Sequence, residues 1–261
     1  MLGWEIFKKS ITQIFYNFAD AIKLTGLLWL ALQGSAIILA YFMIGKFSLN
    51  QYDYDGTGDI PENFGAYFLA IAIILILYSI VAPWIAVLWH RFMLLNEQSN
   101  SNIPSWKGGL IWKYLLKSIK VTLILFLIIV PLGLIAGVIA GMSGSLAFFE
   151  LYGTFFFILI ATYFFLRIGL VLPAVALGGN MTIKESWKKT KTVNGGIFIA
   201  SILLTIFSSI MQFYAFFPNA NILQNQFIMP ILDFFTGWIG LMLGISILTT
   251  LYGHLVDGRE L

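Results

Sequence analysis

The chain has 261 residues, of which 59% are hydrophobic and only 10% charged, with a net charge of +3 and no cysteine. Soluble domains carry about 25% charged residues, and a chain this short could not hide so much apolar surface from water. A water-soluble fold is therefore excluded, and the missing cysteines exclude a disulfide framework, a thiolate metal site and a cysteine nucleophile.

The apolar residues come in runs of about 20 or more, the length that crosses ~30 Å of hydrocarbon. A closed barrel would show short alternating segments instead. The sequence predicts an all-α membrane protein with six transmembrane helices and short cytoplasmic interfacial helices. Residues 1–24 lack the uninterrupted apolar region of a cleavable signal peptide, so the first span is expected to act as its own insertion signal. In this segment Trp4, Phe7, Ile11, Ile14, Phe15, Phe18 and Ile22 recur at three- and four-residue spacing. Glu5, Lys8, Lys9, Gln13 and Asp20 fall mostly elsewhere. That is an amphipathic helix whose aromatic face suits the headgroup boundary. The alternative is that the same face packs against the protein's own spans.

Span 1 covers about residues 25–45. The outer loop 46–63 holds the motif DYDGTGDIPENF, which runs from Asp53 to Phe64. An EF-hand loop wants oxygen ligands at positions 1, 3 and 5, glycine at 6 and a bidentate Glu at 12. Asp53, Asp55, Thr57 and Gly58 meet the first four demands, and Ile60 supplies the usual apolar residue at position 8. Pro61 at position 9 and Phe64 at position 12 break the match. Asp53, Asp55, Thr57 and Asp59 are the candidate calcium ligands, against the plainer reading of an acidic surface turn.

Span 2, about 64–89, contains Pro83, which removes one backbone bond and kinks the helix. Residues 90–116 are polar and basic, with Pro104 and Trp106. Span 3, about 117–141, contains Pro131 and then Gly133, Gly137 and Gly141, four apart on one face. Such a stripe lets another helix approach closely, although glycine is also simply frequent in membrane helices. A turn rich in Gly and Ser, 142–147, leads to span 4, about 148–172.

The segment Arg167 to Lys191 is a drawn-out transition from membrane to water. Pro173 disfavours helix at Leu172, so span 4 is expected to break there. Gly169 to Met181 carries no charge and is expected to lie along the interface. Arg167 should sit at headgroup depth, snorkelling to phosphate or capping the last carbonyls of span 4. A new helix should start at Thr182, with Glu185 at the spacing of a capping box. In it Ile183 and Trp187 would face the membrane, and Ser186, Lys189 and Thr190 would turn toward water. Span 5 covers about 194–217, the polar loop PNANILQNQ follows, and span 6 covers about 230–254.

With six spans both termini lie on one side. That side collects Lys8, Lys9, Lys23, Arg91, Lys107, Lys113, Lys117, Lys120, Arg167, Lys184, Lys188, Lys189, Lys191 and Arg259, which is every basic residue of the chain except Lys46. The asymmetry predicts cytoplasmic termini and a basic face that attracts anionic lipid headgroups. The spans also read as three repeats of an interfacial helix followed by two spans. The entries are GWEIFKK, PSWKGGLIWK and ESWKKTK, around Trp4, Trp106 and Trp187. Self-similarity this loose also arises because membrane insertion selects Trp and Lys at cytoplasmic ends. Trp4, Trp106, Arg167 and Trp187 are the expected interface anchors.

The stretch RIGLVLPAVALGGNMTIKESWKKTK, through Arg167, Pro173, Glu185, Ser186, Trp187 and Thr190, resembles one found in bacterial six-span proteins. These are grouped with the membrane domain of glycerophosphodiester phosphodiesterases. The resemblance implies a bacterial inner-membrane location and a topology. It implies no catalytic residue, because in the phosphodiesterases catalysis belongs to a separate soluble domain that this chain lacks.

Little else suggests chemistry. His90 and His254 stand at cytoplasmic ends of spans, where a polar residue near water is expected. Glu150 and Asp233 fall near the outer surface, and no ionisable group falls near mid-bilayer, where a proton or ion path would need one. No phosphate loop, Ser-His-Asp set or HExxH motif is present. The basic clusters are interrupted by spans, which speaks against nucleic acid. The sequon NMT at Asn180 would lie on the cytoplasmic side and stay inert. The sequence thus predicts a non-catalytic inner-membrane protein, structural or accessory, that organises lipid, a membrane-protein partner or further copies of itself. It predicts no cofactor beyond the candidate calcium. The alternative is a transporter or channel for an apolar or lipid-like solute, with a cavity opened by the kinks at Pro83 and Pro131.

Overall fold

In the computed structural model, which describes residues 2–44, 64–98, 104–143, 153–211 and 228–261, all regular structure among the described residues is helical. The candidate calcium ligands Asp53, Asp55, Thr57 and Asp59 lie outside the described residues. The helices are α1 (Leu2–Tyr16), α2 (Phe18–Ala21), a π-helical turn (Ile22–Gly26), α3 (Leu27–Ile44), α4 (Phe64–Leu95), α5 (Gly108–Ser143), α6 (Thr154–Ile168), α7 (Val171–Ala176), α8 (Ile183–Thr190), a 3-10 turn (Lys191–Val193), α9 (Asn194–Met211) and α10 (Ile228–Leu255).

Five stretches are long and apolar enough to cross a membrane: Phe18–Met43, Phe64–Leu95, Gly108–Met142, Ile183–Met211 and Pro230–Leu255. Helix α6 is apolar but shorter. Several helices outrun their predicted spans. Helix α4 reaches Leu95 and keeps Pro83 inside it. Helix α5 starts already at Gly108 and runs 36 residues through Pro131, about 54 Å at 1.5 Å per residue. Trp106 precedes it in a non-helical segment, so within residues 104–107 no interfacial helix introduces this span as α1 and α8 introduce theirs.

The core gathers at the end of the bundle that carries the basic residues. Trp89, Ile85, Leu170, Leu248, Leu251 and Ile6 are fully buried there. Toward the other end the helices turn apolar side chains outward, as Leu127, Leu134 and Met142 of α5 do. That outward face suits hydrocarbon as its solvent.

Helix α1 is not a free interfacial helix. The chain turns at Asn17, whose φ of −110° and ψ of 30° leave the helical region, and α1 folds back to pack on α9 and α10. Ile6, Phe7, Ser10 and Ile14 are buried in that contact, and the Ser10 hydroxyl bonds Thr250 Oγ1 at 3.0 Å. Of the face expected to meet lipid, Phe7 and Ile14 therefore belong to the core, while Trp4, Phe15 and Phe18 stay exposed. The approach needs glycine on both sides. A Cβ on Gly3 would overlap the Gly196 carbonyl oxygen and lie 2.6 Å from Ile199 Cβ, and a Cβ on Gly196 would meet Leu2 Cδ2 at 2.9 Å. Gly3→Leu should push α1 off α9 and cost about 1–3 kcal/mol, the usual range for overpacking. Faster proteolysis within residues 2–16 would report it, and an unchanged cleavage rate would refute it.

The glycine stripe of α5 does not pack as expected. A Cβ on Gly133 would only graze the Phe157 ring at 4.0 Å, and Gly137 and Gly141 face open space among the described residues. Close helix approach occurs instead at Gly3 and Gly196, and at Gly237, where a Cβ would meet the Trp29 ring at 2.9 Å.

Candidate functional site

The break in the fourth apolar helix follows from Pro173, but three residues earlier than predicted, at Gly169. A proline inside a helix cannot donate to the carbonyl of residue i−4 and its ring collides with that carbonyl. Here that carbonyl belongs to Gly169. The chain leaves the helix after Ile168, and the Leu172 amide reaches the Gly169 carbonyl at 2.9 Å instead. Pro173 then occupies the third position of α7, within the turn where helix amides have no intrahelical acceptor. Helix α7 ends at Ala176, and Gly178, with φ of +88°, closes the turn after it. The Gly178 amide bonds Val175 and the Gly179 amide bonds Ala174, the paired bonds of a Schellman motif.

This uncharged segment does not lie on the membrane surface. Leu170 to Ala176 is buried throughout and packs between α4, α5 and α10. An apolar stretch is removed from water equally well by protein, and here protein surrounds it.

Beyond the turn, α8 begins as predicted. Glu185 N–H donates to Thr182 Oγ1 at 3.2 Å and Thr182 N–H donates to Glu185 Oε2 at 2.7 Å, the reciprocal pair of a capping box. The faces of α8 are not as predicted. Ser186 and Thr190 are fully buried, while Lys189 stays outside. The Ser186 hydroxyl donates to the Arg167 carbonyl at 2.9 Å, satisfying a helix-end carbonyl that the break leaves without an amide.

Arg167 sits in the junction of α6, α8 and α9 at 4% exposure, so it does not snorkel to lipid phosphate. Its Nε donates to Thr190 Oγ1 at 2.9 Å, Nη1 to Tyr163 Oη at 3.0 Å and to Asn194 Oδ1, and Nη2 to the Trp187 carbonyl at 3.3 Å. Tyr163 Oη in turn donates to Asn194 Oδ1. The guanidinium carbon lies 3.9 Å from the Trp187 ring centroid and 5.8 Å from that of Tyr163. Trp187 stacks on Phe164. Among the described residues no carboxylate pairs with this charge. Oriented hydroxyls, a helix-end carbonyl and two aromatic faces compensate it instead. Sequence reading missed Tyr163 and Asn194. Tyr163 stands one helical turn before Arg167, a spacing that could have revealed it.

Other basic residues also fasten helix ends. Arg91 Nη1 donates to the Ala176 carbonyl at the end of α7, at 3.1 Å. Arg259 of the tail donates to the Met93 and Leu94 carbonyls at the end of α4. Lys117 Nζ donates to Asn180 Oδ1 at 3.2 Å and to the Met181 carbonyl at 3.3 Å. Glu97 joins Arg91 at 2.6 Å and Lys107 at 2.5 Å. Partial burial would raise its carboxyl, but the hydrogen bonds from Lys107 and Arg91 outweigh this and hold it below the usual carboxylate range.

His90 is also not at the water boundary. It is fully buried, with Nδ1 2.8 Å from Thr249 Oγ1 and Nε2 3.4 Å from Tyr114 Oη. His254 instead meets the Arg259 carbonyl through Nδ1 at 3.0 Å. Among the described residues no group of three His, Asp or Glu could hold a metal. Trp4, Trp106 and Trp187 remain substantially exposed; Trp106 meets Trp84 edge-on with centroids 4.7 Å apart.

Two apolar clefts open between the helices. One of about 570 Å³ lies between α1, α3, α9 and α10, lined by Phe15, Phe18, Trp29, Phe207, Phe234 and Trp238 among others. The second, about 530 Å³, lies at Pro83 between α4, α5 and α10, with Gly240 and Gly244 on its far wall. Comparison of the chain with protein families, with curated proteins and with solved structures finds no match.

Proposed function

We propose that this is a non-catalytic integral protein of a bacterial inner membrane, with both termini cytoplasmic, that holds and organises lipid. The five long apolar helices and α6 would be its six spans. The observation that carries the reading is the contrast between the two ends of the bundle. The basic end is a packed plug latched by arginine on helix carbonyls and by Lys117 on the segment after α7. The clefts lie among apolar helices and are lined by side chains suited to acyl chains. Each has the volume of an ordinary small-ligand site. The basic asymmetry supports the orientation.

The transporter reading draws on the Pro83 cleft, which is where a kink would open a path for a lipid-like solute. One pair of measurements separates the two. The accessory reading expects phospholipid to stay with the purified protein through gel filtration in mild detergent. It also expects reconstituted vesicles to flip a fluorescent phospholipid no faster than protein-free vesicles. Protein-dependent flipping would replace it with transport, and lipid-free protein would remove it.

A further inference from the structure

We propose that the cytoplasmic end of α5 carries a binding site for a phospholipid whose headgroup bears two negative charges, an inference resting on the membrane-embedded reading above. A pocket of about 560 Å³ lies between α5 and the turn after α7, with Lys113, Lys117 and Lys120 on one wall and Gly178, Gly179 and Asn180 on the other. The spacing of the three lysines puts them on a single helix face.

Lys117 is already tied to Asn180 and Met181. This fixes one ammonium at the rim and leaves the Asn180 side-chain amide as a further donor. Lys113 and Lys120 are exposed and have no hydrogen-bond or ion-pair partner among the described residues. They contrast with Arg91, Arg167 and Arg259, whose donors the fold uses. The Glu185 carboxylate exerts its field on Lys117. Three ammonium groups line the pocket with no carboxylate among its lining residues, and with Lys117 partly offset by Glu185 the lining suits a doubly charged headgroup.

The same helix face favours a lipid over a free phosphate. Below Lys120 it continues through Leu123, Leu127 and Leu134, which are 58%, 73% and 68% exposed. From Lys120 to Leu134 is about 21 Å of helix rise, more than half of the ~30 Å hydrocarbon thickness. A headgroup in the pocket would thus place its acyl chains along an apolar track that no described helix covers. Basic recesses beside membrane helices are known to take anionic headgroups.

The test uses the full-length protein in a neutral detergent, with its melting temperature followed against added dioleoyl phosphatidate, dioleoyl phosphatidylcholine or inorganic phosphate at equal phosphorus. Phosphatidate should raise the melting temperature by several degrees and the other two should not. Lys113→Gln/Lys120→Gln should leave the lipid-free melting temperature unchanged and weaken phosphatidate about 30-fold, the loss expected of two lysines near a charged surface. Lys188→Gln/Lys191→Gln, which removes equal charge from exposed positions after the turn, should keep the effect. An equal loss in that control would overturn the site in favour of diffuse attraction. An equal shift from inorganic phosphate would overturn the lipid. If lipid still co-purifies while Lys113 and Lys120 prove indifferent, this site is wrong and the lipid-holding role stands. If none co-purifies, the role itself fails.

Discussion

Arg167→Ala should lower the unfolding free energy in mixed micelles by about 3 kcal/mol or more, given that hydrogen bonds to a charged group contribute about 1.5–3 kcal/mol each. The guanidinium bridges three helices at once, through Tyr163 on α6, the Trp187 carbonyl and Thr190 on α8, and Asn194 on α9. Without it the Trp187 carbonyl loses a charged donor and is left with the Thr190 hydroxyl at 3.1 Å, and Thr190 and Asn194 each lose a charged partner. Arg167→Lys should recover little. An ammonium is a point charge on a flexible stem and cannot reproduce a planar fork aimed at several acceptors. If lysine restored stability fully, charge alone would matter at this position. If alanine cost under 1 kcal/mol, the junction would not depend on Arg167.

The second large effect is expected at Trp89. Its side chain is fully buried. Its indole Nε1 donates to Ser246 Oγ at 2.9 Å, tying α4 to α10, and its ring lies 5.7 Å from that of Phe92. Trp89→Ala should cost about 3–5 kcal/mol, combining lost burial with the cavity left behind. Trp89→Phe keeps most of the volume and removes the hydrogen bond, so it should cost nearer 1 kcal/mol. The same unfolding assay separates the variants, and equal losses would show that the hydrogen bond dominates rather than the packing.

These two residues mark what was and was not readable from the sequence. Features set within one or two helical turns could be read. The Thr182–Glu185 capping box is an example, because a residue three positions away decides it. The break near Pro173 was legible too, but its position depends on which steric rule dominates. The preceding-residue preference pointed to Leu172, whereas the collision with the i−4 carbonyl opened the helix at Gly169. Longer-range docking was not legible. In a soluble helix an apolar face points to the core, but here nearly every face is apolar, and lipid and protein satisfy it equally. Hence α1 looked interfacial and is docked, Ser186 and Thr190 looked exposed and are buried, and the Gly133–Gly137–Gly141 stripe looked packed but has no close neighbour among the described residues. His90 was misplaced for a related reason. Its partners Thr249 and Tyr114 are remote in sequence, so nothing nearby signalled that its ring nitrogens would be satisfied away from water.

The docking of α1 also has a consequence for biosynthesis. The surface that receives residues 2–16 is built from α9 and α10, and so from residues beyond 194. At about 5–20 residues per second, the ribosome needs roughly 10–40 s after finishing α1 to make the start of α9. Throughout that interval the α9 and α10 surface that buries Ile6, Phe7 and Ile14 does not yet exist. The amphipathic pattern that suggests a helix floating at the headgroups describes α1 well during this wait. A bilayer surface would shelter the segment until its receptor emerges, and docking would then exchange lipid contacts for protein contacts of the same apolar character. A ribosome stalled before residue 194 should therefore hold α1 on the membrane surface, open to protease, while release of the whole chain should protect it.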